Sequence, residues 1–155
     1  MATGHFDASQ ALRLSELLAH LGREGLYRAV LIHHPPSRNA IHWAARLVGA
    51  ERFRQVIRQS GAELVLHGHT HRSSIDWIDG SDAAVPVIGV PSASKSPGPE
   101  KRGAGWSLFE IEGGPGAWRT TRIERGFPDT ARGPVEIARQ IIDPSEARGG
   151  ALRSG

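Results

Sequence analysis

Two rhythms of apolar residues divide the first half of the chain. Leu12, Leu14, Leu17, Leu18 and Leu21 recur at helical spacing behind Asp7 and Ser9, either of which can cap a helix, and Gly22 and Gly25 supply its stop. Tyr27 to Ile32 is a short, nearly continuous apolar run, the pattern of a strand covered on both faces. His33-His34-Pro35-Pro36 ends it, because prolines cannot extend a hydrogen-bonded ladder. A loop and short helix are expected around Ile41 to Val48. A second amphipathic helix, Glu51 to Gln59, carries Phe53, Val56 and Ile57 on one face and closes at Gly61. Glu63 to Leu66 is a second short apolar run, ending in His67-Gly68-His69-Thr70-His71.

Beyond that point the pattern predicts antiparallel structure. Ile75, Trp77 and Ile78 suggest a strand before turn residues Asp79-Gly80-Ser81-Asp82, and Val85 to Val90 another, interrupted by Pro86. Pro91 to Lys101 reads as a loop. Trp106 to Ile111 and Trp118 to Ile123 flank Gly113-Gly114-Pro115-Gly116 as a β-hairpin. From Gly126 the chain turns Pro-, Gly- and Arg-rich, with one weak helix near Val135 to Ile142. The expected division is therefore a domain over 1–125 and a partly ordered tail over 126–155. Two βα-like units followed by antiparallel strands predict an α/β layered domain.

Composition narrows the classes. The 155 residues are 39% hydrophobic and 23% charged, as in ordinary globular domains. No apolar stretch approaches the ~18 residues of a membrane span, and the first residues have no signal-peptide pattern, so a soluble, cytoplasmic protein without a membrane partner is expected. Without cysteine, a metal has only nitrogen and oxygen donors to choose from. The formal charge of +3 comes from scattered arginines, only Lys95 and Lys101 being lysines, and no basic stripe marks a nucleic-acid footprint. Nucleic acid is therefore not an expected partner.

Histidine is the anomaly. Of eight, five sit in two clusters, each at the C-terminal end of a short apolar run. That edge of an α/β sheet is where ligands usually bind. If the two strands are neighbours, His33 meets the His69/His71 pair on one rim. Alternate residues of an extended segment point to one face, and Gly68 would permit the turn that lets both imidazoles converge. Three imidazoles make a partial site for a zinc-, iron- or manganese-type ion. His5, His20 and His42 read as solvated or capped residues.

The pairing of RAVLIHHPP with ELVLHGHTHRSS, separated by a helix, resembles the calcineurin-like metallophosphoesterases. The resemblance covers about Met1 to Glu124 and includes the GVPSAS segment, Gly89 to Ser94. It implies an α/β fold of packed sheets flanked by helices, of which this chain would be the C-terminal half of a layered α/β/β/α sandwich. It also implies that His33 and His69 ligate one metal and His71 the other of two divalent ions such as Mn, Fe or Zn. His67 takes a structural role. His34 becomes a group that supports the ligands or faces the substrate, and less readily a ligand itself, and Arg38, after the Pro-rich loop, either clamps phosphate or is a plain surface arginine. Trp43, beside His42, could stack on a base. The implied activity is hydrolysis of a small phosphomonoester or phosphodiester.

The sequence also departs from the family. Its D-x-H, G-D-x-x-D and G-N-H-[DE] motifs are absent, and with them the bridging carboxylate and any identifiable catalytic residue. Neutral imidazoles cannot offset two dications ~3.5–4 Å apart. The chain alone is therefore expected to be inactive and prone to aggregate. Its missing N-terminal half would belong to the same longer chain, as we expect, or to a separate one. The alternative is a non-catalytic module binding one ion through His33, His69 and His71.

Overall fold

The computed structural model describes residues 3–37, 47–96, 103–127 and 133–148. Helix α1, Ala8–Arg23, begins where the capping chemistry says it should. The Asp7 carboxylate accepts from the Gln10 backbone N–H at 2.8 Å, and the Gln10 side chain accepts from the Asp7 N–H at 2.9 Å. Its buried face is Ala11 and Leu18, with Leu14 packed beside them, whereas Leu12 and Leu17 are exposed at 62% and 52%. The leucine row is thus wider than the stripe the sheet covers. Helix α2, Ala50–Ser60, buries Phe53, Val56 and Ile57 as expected. Gly49 precedes it at φ 89°, where a Cβ would lie 2.2 Å from the Phe6 carbonyl oxygen.

The Asp7 cap gives a test in acid. The Gln10 N–H bond holds its carboxyl below the ordinary 3.8. A carboxyl with a depressed folded pKa contributes stability that is present above the unfolded value and lost as pH falls through the folded one. Between pH 7 and pH 3 the thermal midpoint of Asp7→Asn, which keeps the cap without the titration, is expected to fall less than that of the parent. Parallel profiles would show that the cap ionisation adds nothing.

The central sheet has the order β2-β4-β6-β5, with β2 (Ala29–Ile32), β4 (Leu64–His67) and β6 (Val85–Gly89) parallel and β5 (Ser74–Ile78) antiparallel at one edge. Pro86 is accommodated because the β4 register begins one residue later, at Val65 and Val87. Side chains alternate between two cores. Val30, Ile32, Val65, Val87 and Ile78 pack with both helices; Leu64, Leu66, Ile88, Ile75 and Trp77 face the second sheet. That sheet is antiparallel, β7 (Gly105–Glu112), β8 (Arg119–Gly126) and β9 (Val135–Ile142). Tyr27 ties the two sheets, its hydroxyl 2.8 Å from Thr120 Oγ1 and its ring edge-on to Trp118. The layers are helices, sheet, sheet, in keeping with the α/β class expected. No described helix is long and apolar enough to cross a membrane.

Three expectations are corrected. Val135 to Ile142 is a strand, not a helix: it pairs with β8 along its length, and Ile142 fills the second core. β2 is not covered on both faces. Among the described residues it is the terminal strand of its sheet, and Leu31 is 76% exposed. Leu47–Val48, expected to end a short helix, form strand β3, which pairs in parallel with β1 (Gly4–His5); residues 41–46 lie outside the described residues.

Candidate metal centre

Adjacent parallel strands bring the two histidine clusters to one rim. Ile32 is in register with His67, so the chain leaving β2 and the chain leaving β4 emerge side by side. His33, His34 and His69 then converge, each offering a ring nitrogen within 4.8 Å of the others. His69 Nδ1 lies 3.2 Å from His33 Nε2, and the His34 and His69 ring centroids are 4.4 Å apart. Tetrahedral zinc with bonds of about 2.0–2.1 Å spaces neighbouring donors about 3.3–3.4 Å apart. The donor set fits one borderline ion. It does not fit two, because no carboxylate joins the cluster among the described residues.

Three neighbouring features fix these rings. The 33–37 loop is anchored by Arg54, which donates to the Pro36 carbonyl at 2.6 Å, and by Ser37, whose hydroxyl donates to Asp76 at 3.0 Å. Gly4 makes room for His34, since a Cβ there would lie 2.3 Å from its Nδ1. His69 and His71 both adopt left-handed backbone, φ 62° and 53°, at a cost of roughly 1–3 kcal/mol each. Such strain is typical of sites where a side chain has to be aimed.

Electrostatics favour the metal-binding form. Burial, then the charges of His34, His33 and His71, hold the His69 pKa below 6.5, which favours the neutral ring that can bind a metal. His67 is buried, with Nδ1 3.0 Å from the Gly68 carbonyl oxygen. Burial lowers its pKa too, against the opposing pull of that hydrogen bond and of Asp76.

Of the residues read from the sequence, His33 and His69 are brought together; His34 joins them, and His71 stands outside this close group. The turn is made at His69 and His71 themselves, not at Gly68, whose φ is not positive and where a Cβ would meet only ordinary contacts. Arg38, His42 and Trp43 lie outside the described residues. Gly4 and the Ser37–Asp76 tie were missed, and no sequence signal marks them, since their roles arise only from long-range packing.

No family model matches the chain. No curated protein matches it. Among solved structures it is similar to Vps29 of Entamoeba histolytica, a protein of the calcineurin-like metallophosphoesterase fold, at low identity. A single-substitution variant gives 19% identity over 71% of this chain and 53% of that one, TM-score 0.38. The wild type complexed with zinc gives 19% over 68% and 51%, TM-score 0.36. A double-substitution variant gives 13% over 90% and 96%, TM-score 0.37. The chain thus spans about half the length of the first two matches.

Proposed function

We propose that the chain binds one divalent cation between His33, His34 and His69, as the histidine-rich side of a metal-dependent phosphoesterase completed by a carboxylate-bearing segment. The observation that carries this reading is the convergence of three imidazoles at the C-terminal ends of neighbouring parallel strands. The ion would polarise a phosphoryl oxygen and lower the pKa of a bound water. The chain's own residues supply imidazole nitrogen donors and hold them through Arg54, Asp76 and Gly4. The completing segment has a place to add. β2 pairs only with β4 among the described residues, and its Leu31 is exposed beside a groove of about 330 Å³ that reaches His33. A second ion would be held by residues this cluster lacks, so no step is routed through it.

The lack of a carboxylate in the cluster also favours a second reading, a non-catalytic module holding a single ion. The two are separated by titrating metal-free protein with Zn²⁺ and Mn²⁺, then assaying p-nitrophenyl phosphate and bis(p-nitrophenyl) phosphate. The assay uses the chain alone and the chain fused to the segment encoded immediately upstream. One ion bound by the chain alone, with turnover only in the fused protein, supports the phosphoesterase. One ion without turnover in either leaves the single-ion module. No ion bound overturns both.

A further inference from the structure

Beside the histidine cluster lies a second cavity, of about 320 Å³, between the turn after His71 and the edge of the second sheet. Its cationic lining is Arg72, Lys95 and Arg125, and His71 also lines it; its apolar lining is Pro91, Phe127 and Ile137. The charges differ in how far they are already engaged. Arg125 sits opposite Glu136 in the β8–β9 register. Arg72 and Lys95 make no hydrogen bond or ion pair among the described residues, whereas Arg28, Arg54, Arg58 and Arg139 are all held by carboxylates.

The acidic group in the lining is already engaged. Glu124 accepts from the Ser73 hydroxyl at 2.6 Å and lies 3.5 Å from Arg122, whose side chain is only 5% exposed. Arg122 also donates to Ser107 Oγ at 3.0 Å and to Ser73 Oγ at 2.8 Å. This buried network fixes the wall from which Arg72 projects and leaves Arg72 and Lys95 as uncompensated positive charge. Cations of this kind against an apolar surface suit a small ligand with an anionic head and an apolar body.

We propose that this cavity binds a small organic phosphomonoester, its phosphate on Arg72 and Lys95 and its organic group on Pro91, Phe127 and Ile137. The proposal rests on the phosphoesterase reading for its place in a reaction, since it would hold a substrate beside His71, but the binding itself needs no metal. The test is calorimetric titration of the chain in chelator with phenyl phosphate, inorganic phosphate and benzyl alcohol. Phenyl phosphate is expected to bind most tightly of the three. Arg72→Ala and Lys95→Ala, both at exposed positions, should each weaken it about 10-fold, in line with the loss of one charge-assisted hydrogen bond. Phe127→Ala should weaken phenyl phosphate and leave inorganic phosphate unchanged. His33→Ala should leave phenyl phosphate binding intact while removing metal binding. Unchanged affinity in the Arg72 and Lys95 variants overturns the proposal, as does an equal loss in His33→Ala, which would place the phosphate on the histidines. No detectable phenyl phosphate binding overturns it as well, whatever the metal titration shows.

Discussion

A Phe53→Ala chain is expected to lose about 3–5 kcal/mol of stability, the cost of emptying a large aromatic site in a core that cannot collapse around the gap. Phe53 is 1% exposed and is met edge-on by Phe6, ring centroids 5.4 Å apart. It therefore joins α2 to the segment that carries Gly4 toward His34. Domains of this size hold only about 5–15 kcal/mol in total, so the substitution brings the folded state near its limit. Urea unfolding measures it: the midpoint should fall with the slope unchanged. Phe53→Leu, which keeps most of the volume, should lose much less. A loss below about 1 kcal/mol for the alanine variant would mean that α2 is not seated on the sheet as described.

The second large effect concerns the cluster. Removing groups that merely orient a ligand costs 10–100-fold in metal affinity, so deleting a direct donor should cost at least about 100-fold. His33→Ala, His34→Ala and His69→Asn are each expected to lose that much for zinc, whereas His71→Asn should lose less than about 10-fold. Asparagine is chosen at His69 and His71 because it tolerates their left-handed backbone, so the loss reads the donor and not the turn. The comparison separates His34, which lies in the close group, from His71, which the resemblance assigns to a second ion. If His71→Asn abolishes binding and His34→Ala does not, His71 is a ligand and His34 only stands beside the ion.

What the sequence revealed was local. A helix cap at Asp7 or Ser9, the buried face of α2, both strands before the histidines and the β7–β8 hairpin follow from spacing within a few residues. The errors have a common cause. Val135 to Ile142 contains good helix formers in Ala138, Arg139 and Gln140, and becomes a strand only because β8 offers a ladder and the second core a place for Ile142. The exposure of Leu31 depends on how far the second sheet extends, which no periodicity reports. At the site, the alternate-residue argument for His69 and His71 assumes an extended backbone. Two left-handed residues break that assumption, and the close group at the rim includes His34.

Those two left-handed turns also separate what the backbone demands from what the metal demands. At positions 69 and 71 the chain path favours glycine, asparagine, aspartate or histidine and disfavours β-branched residues, whatever the chemistry of the cluster. A lineage that no longer needed the ion could drift from histidine to asparagine at both positions without disturbing the path of the chain. Position 34 has no such refuge, because its ring fills the space that Gly4 leaves open. Among related sequences, a histidine retained at 69 beside a changed residue at 34 would report an abandoned site more clearly than any change at 71.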